Sequence, residues 1–233
     1  MNLDPVRREA LSDKVIAQLR RQITSGAWPV GSRIPTETEL VEQLGVARNT
    51  VREAIRALAH TGLLDIRHGS GSYVRATSEL AGMMRTRFAK ADTDDVAEVR
   101  GALEIRAARL ASARRTPEDL ERLDALLVQR EQAWSAGDRV GFVNADVAFH
   151  LAVVSASHNT VLAELHADLG EVIRDSLLDH FGDALRPAQF QDHARLVDAI
   201  RARDSDKAAY ESGSYMDCAP TQAGEKRRPT LGT

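Results

Sequence analysis

The chain has 233 residues, of which 43% are apolar, 28% charged and 4% aromatic, with a net charge of −3; this is ample for a buried core and too apolar for a chain disordered throughout. No apolar run approaches the roughly 18 residues that cross a bilayer, the opening MNLDPVRREALSDK lacks the apolar stretch of a secretory signal, and the single cysteine, Cys218, excludes an internal disulfide or a multi-cysteine zinc site. A cytoplasmic protein with no membrane partner is expected, and the length suits two domains.

Charge divides the chain. Residues 1–75 carry 11 Lys and Arg against 8 Asp and Glu, whereas the remainder carries 20 against 26. A positive balance confined to one segment points to an anionic partner for that segment.

Leu11, Val15, Ile16, Leu19 and Ile23 recur at helical spacing and Ser25-Gly26 closes the run, so a first helix is predicted. After Pro29, Gly31 and Pro35, the Thr36-Glu37-Thr38-Glu39 run has capping-box spacing and opens a short helix that turns Leu40, Val41 and Leu44 inward. Gly45 ends it, and Val51, Ala54, Ile55 and Leu58 form the stripe of a third helix, giving a helix-turn-helix. The polar side of that helix holds Arg48, Asn49, Thr50, Arg52 and Arg56, which can reach phosphates or base edges if the helix enters a major groove. Leu63–Arg67 and Ser72–Arg75 read as strands joined by His68-Gly69-Ser70-Gly71, a wing whose glycines allow close backbone approach to a sugar-phosphate edge.

Taken together, PVGSRIPTETELVEQLGVARNTVREAIRALAHTGLLDIRHGSGSYV resembles the winged helix-turn-helix of the GntR family of bacterial transcription regulators, over about residues 12–75. The resemblance implies that Arg48, Arg52, His68 and Gly69 contact double-stranded DNA. Thr38 stands where many members have Arg, and Ala47 where a Ser often caps the recognition helix, a loss of about 1 kcal/mol.

From Thr93 the pattern reads as six helices: 94–114 with Val96, Val99, Leu103, Ile105, Ala107 and Leu110; a second after the Thr116-Pro117-Glu118-Asp119 start; 140–155; 159–181; Pro187–Arg203; and a short sixth from Asp204. Residues 76–92 form a linker in which Leu80, Met83, Met84 and Phe88 fit a helix packed on either side, and residues 218–233 read as a disordered tail. The expected fold is therefore mainly α: a winged helix-turn-helix over 1–75 and an all-helical bundle over 93–217.

The bundle resembles the FCD ligand-binding domain of the FadR subfamily in its VanR-like form, on Glu98-Val99-Arg100-x-x-x-Glu104, Asp146-x-x-x-His150 and His193-x-x-Leu-x-x-Ala-Ile-x-x-Arg-Asp. Asp146 and His150 leave one helical face four residues apart, and His193 can complete a facial set suited to Zn²⁺, Ni²⁺, Mn²⁺ or Fe²⁺. The resemblance implies a third His about twenty residues beyond His193, where Tyr215 stands, so the site either binds an ion weakly or is metal-free. Arg100 reads as one half of an ion pair with Glu98 or Glu104; the resemblance makes it a clamp for an effector carboxylate. The resulting expectation is a homodimeric regulator, a repressor by family habit, on a palindromic operator and responsive to a small carboxylate metabolite. The alternatives are a metal-dependent enzyme or a metal sensor using Asp146, His150 and His193.

Overall fold

The computed structural model describes residues 11–217, with side chains to residue 214; the expected tail, 218–233, lies outside the described residues. The helices are α1 Leu11–Thr24, α2 Glu37–Leu44, α3 Arg48–His60, α4 Glu79–Arg87, α5 Thr93–Arg114, α6 Pro117–Ser135, α7 Arg139–Ser155, α8 Thr160–Phe181, α9 Ala194–Arg201 and α10 Ser205–Asp217, with strands β1 Leu64–Arg67 and β2 Gly71–Val74. The chain divides into two compact units: one runs to Val96 and includes Glu164–His180, the other holds Ala97–Ala163 and the chain from Phe181 onward. The protein is mainly helical, as composition and periodicity require.

In the first unit the apolar stripes meet as expected. Val15, Leu19 and Ile23 of α1, Leu40 of α2 and Val51, Ala54, Ile55 and Leu58 of α3 bury together with Ile34, Leu63, Leu64 and Val74, while Leu11, the first described residue, is exposed. The capping box forms: Thr36 N donates to Glu39 Oε2 at 2.7 Å, and Glu39 N donates to Thr36 Oγ1 at 3.3 Å. Gly45, at φ 64°, takes the left-handed cap that closes α2 and donates its N–H to Val41 O. Ala47 leaves the start of α3 without a side-chain cap. The hairpin pairs Leu64 with Val74 through to Arg67 with Gly71, and Val74 and Ile34 add bonds to Ser32 and Ser72 that bring the 31–34 segment alongside it.

Of the segment expected to be a linker, residues 79–87 form α4, which packs within this first unit. A Cβ built on Gly82 of α4 would lie 2.5 Å from the Gly62 carbonyl oxygen, so the two backbones touch where only glycine fits. Ser78 caps α4 and bonds to Asp168. Arg85 forks onto Asp175 at 2.9 and 3.2 Å, with Glu171 at 3.3 Å.

The second unit is built on small residues. Ala108, Ala111, Ala152, Ala156, Ala199 and Ala208 let helices approach closely around Leu123, Phe149, Val153, Leu196, Val197 and Ile200. Thr116 and Asp119 form the expected box at the start of α6, with Pro117 in the first turn. Two expectations fail. The inward stripe of α5 is Arg100, Gly101, Glu104, Ala107, Ala108, Ala111 and Ser112, while Val99 and Ile105 are 52% and 36% exposed; charged groups occupy the face that apolar periodicity assigned elsewhere. The helix expected over Pro187–Arg203 begins only at Ala194. Pro187 starts a single 3₁₀ turn, Phe190 is extended, and His193 is the residue at which α9 begins.

Candidate functional site

Two sites stand out, each inside one unit. On the first, α2 and α3 set out the polar row: Arg48, Asn49 and Arg56 are exposed, Thr50 and Arg52 half-buried. Glu37, at the start of α2, collects both Arg48 and Arg52. Arg52 Nε and Nη2 donate to its two oxygens at 3.2 and 3.0 Å, and Arg48 Nε donates to Oε2 at 3.1 Å. The hydrogen bond from Arg52, with the Arg48 bond and both charges behind it, lowers the Glu37 pKa against the opposing effect of burial and so favours the carboxylate form. In the wing, His68 and Gly69 lie exposed at the tip, Gly69 at φ 73°. Arg67 pairs with Asp65 at 3.0 Å and lies over the Tyr73 ring. The Arg33 side chain reaches the wing at Gly71, where a Cβ would meet its Nε at 2.6 Å. Glu37 and Arg33 were missed by reading the sequence; for Glu37 the signal was its place directly after the N-cap, facing the next helix across a tight turn.

The second site is a buried polar centre. Asp146 and His150 project from α7, Arg100 and Glu104 from α5, Arg130 from α6, and His193 from the start of α9; all six are buried. Asp146 Oδ2 accepts from Arg100 Nη2 at 3.1 Å, and Oδ1 accepts from Arg130 Nε at 2.7 Å. Arg100 Nε also donates to Glu104 Oε1 at 2.7 Å, which selects Glu104 over the exposed Glu98 as its partner and makes the pair a buried one. His150 Nδ1 lies 2.7 Å from Glu104 Oε2, and His193 Nδ1 lies 3.0 Å from the Gln191 carbonyl oxygen. The two Nε2 atoms are 3.0 Å apart and lie 3.8 and 4.0 Å from Asp146 Oδ1. Asp146, His150 and His193 thus form a compact group that could hold a metal ion. Tyr215 lies in the last turn of α10, beyond the described side chains.

Burial opposes the charge on Asp146, but the neighbouring cationic groups, the Arg100 and Arg130 guanidiniums among them, outweigh it and hold the carboxyl far below its usual range. Burial, followed by the Arg100 charge, lowers the His150 pKa; burial, followed by His150 and Arg130, lowers that of His193 still further. Burial thus favours the uncharged form of both rings. In the tautomers with both protons on Nδ1, the Nε2 lone pairs would converge with Asp146 Oδ1, whereas the other tautomer of either ring lets one Nε2 donate to the other at 3.0 Å. Donors sharing one ion at about 2.0–2.2 Å lie about 3 to 4 Å from one another, so this spacing fits an ion, and the Glu104 and Gln191 oxygens supply the outer support metal-bound imidazoles usually have.

Residues 11–74 match the family model of the bacterial regulatory proteins of the gntR family, and residues 95–217 match the FCD domain. The chain belongs to the GntR family. Among relatives of this GntR regulator, the galactonate operon transcriptional repressor of Escherichia coli is 31% identical over 208 residues, 84% of this chain and 90% of that protein. The Uxu operon transcriptional regulator of the same organism is 30% identical, over 88% and 83% of the two chains. The structure of Streptococcus agalactiae GntR aligns with 29% identity and a TM-score of 0.51 over 89% of this chain and 98% of that one, and Escherichia coli McbR/YncC with 27% and 0.51 over 90% and 95%. These relatives are transcription regulators rather than enzymes, so this family member is a transcription regulator with a DNA-binding head and an FCD domain. Among the described residues, no helix is long and apolar enough to cross a membrane.

Proposed function

We propose that the protein binds a palindromic operator as a homodimer, acts as a repressor, and is released when a small carboxylate metabolite enters its FCD domain. The DNA-reading role is assigned to residues 1–75 and the effector role to 93–217, with 76–92 as the linker. The observation that carries the reading is the Glu37 clamp, which presents Arg48 and Arg52 side by side at the exposed start of the recognition helix. Arg52 and Arg48 read base edges or phosphates from the major groove, Asn49, Thr50 and Arg56 support them, and His68 and Gly69 follow the backbone at the wing. One such head buries too little surface for specific affinity, which favours two heads on a twofold site.

Arg100 supports an anionic effector, because its planar fork already holds two carboxylates in a dry centre and can hold a third. Galactonate, named in one relative, is a carboxylate of this kind. Asp146, His150 and His193 would hold a divalent ion such as Zn²⁺, Ni²⁺, Mn²⁺ or Fe²⁺, which would supply a Lewis-acidic position for a carboxylate oxygen. The effector acts only to the extent that it prefers one dimer geometry over another, typically 1–3 kcal/mol of coupling.

Gel shifts at fixed salt on the DNA upstream of the gene test the head. Arg52→Ala is expected to weaken specific binding about 10- to 100-fold, the worth of a bidentate base contact; unchanged operator affinity would remove Arg52 from the interface. Adding galactonate or other sugar acids to the wild-type complex tests the effector, with release expected for one of them and lost in Arg100→Ala.

A further inference from the structure

The oxygen of Asp146 that faces both imidazoles is the one Arg130 holds. Arg130 Nε donates to Oδ1 at 2.7 Å, its Nη1 donates to the Gln191 carbonyl at 2.9 Å, and its head lies over the rings of Phe142 and Phe190 at 4.7 and 5.7 Å. A guanidinium fixed on four sides has no easy alternative position, and it stays charged in a protein. Trp134 packs beside this cage, its ring 5.0 Å from Phe142 and 5.1 Å from Phe190.

Among the ion-paired groups described in the centre, charge already balances: Arg100 and Arg130 against Glu104 and Asp146. An ion bound to Oδ1 at about 2.0–2.2 Å would sit no more than roughly 5 Å from Arg130 Nε. The Arg130 side chain is 3% exposed, so little water screens that repulsion. The same carboxylate oxygen would have to neutralise both.

We propose that Arg130 is the resident cation of this centre and competes with a divalent ion for Asp146 Oδ1, so that the wild-type protein binds such ions weakly. The proposal rests on the reading that Asp146, His150 and His193 can hold an ion, and it adds that this chain carries its own antagonist of that ion. Geometry of the three donors alone predicts tight binding; geometry together with Arg130 predicts the opposite.

Full-length protein stripped with EDTA is titrated calorimetrically with Zn²⁺ and with Ni²⁺, and its melting temperature is followed with and without each metal. Removing the charge, in Arg130→Met or in the hydrogen-bonding Arg130→Gln, is expected to raise affinity at least 100-fold over wild type. Melting of the variants is expected to become metal-dependent while that of the wild type does not, since a ligand stabilises only by binding the fold. Adding His150→Ala to either variant must abolish the gain. Wild type and variants binding with equal, tight affinity would overturn the proposal and leave the ion site standing. Variants that fold and bind no metal would overturn both the proposal and the ion site. If Met and Gln both unfold the domain, wild type alone decides, because submicromolar Zn²⁺ affinity at a site lost in His150→Ala contradicts the competition.

Discussion

The two sites use the same chemistry in opposite surroundings. In the DNA-binding head, Glu37 pairs with two arginines whose side chains are 41% and 64% exposed; in the FCD domain, Asp146 pairs with two that are 3% and 8% exposed. Water makes the first clamp cheap to open, so its arginines can be handed to phosphates and bases. Burial makes the second rigid, since opening it strands a charge where nothing solvates it. Exposure therefore separates a pair of arginines that water can solvate from a centre whose charges depend on one another.

The sharpest way to break that contrast is Asp146→Ala. It leaves Arg100 and Arg130 facing each other without their shared carboxylate, with an expected cost of about 3–5 kcal/mol in urea unfolding. A loss below about 1 kcal/mol would mean that the centre is wet and no different from the head. Gly82→Val tests the head's own support: the Cβ meets Gly62 backbone, and a loss of about 1–3 kcal/mol with weaker DNA binding is expected.

Acid should distinguish the two sites as well. His150 and His193 have lowered pKa values in the fold, so the unfolded chain takes up protons first, near pH 6.5. Stability is then complete above that value and falls as pH drops below it, by up to about 1.4 kcal/mol per pH unit for each ring. Urea midpoints measured from pH 8 to 5 should show this slope, and His150→Gln should flatten it; the depressed Asp146 acts in the same direction only near pH 4 and below. Ala47→Ser, which restores a cap on α3, is expected to add about 1 kcal/mol in thermal melting without altering the centre. Smallest in free energy is Glu37→Gln. Removing the negative charge should raise non-specific DNA affinity a few-fold while narrowing the gap between operator and random DNA, because Arg52 loses its fixed orientation.

Legibility followed how local the determinants were. The stripe of α3, the box at Thr36 and Glu39, the turn at Gly45 and the wing glycines all act within a few residues, and the structure reproduces them. The α5 stripe misled because Val99 and Ile105 look like core, whereas the alanine-lined contacts of the second unit turn Arg100 and Glu104 inward. His193 was read as a helical residue, but Pro187 and the extended Phe190 postpone the helix to Ala194.

By itself, the order of residues determined a winged helix-turn-helix followed by a helical domain, the polar row on α3, and the Asp146 and His150 pair on one helical face, because periodicity, caps and turn glycines are short-range properties of a chain; His193 joined that pair through the resemblance to the FCD pattern. Only the tertiary structure decided that Glu37 gathers Arg48 and Arg52, that Glu104 rather than Glu98 partners Arg100, and that Arg130 reaches Asp146 from another helix. Those choices depend on which side chains share a dry volume, and long-range packing creates that volume.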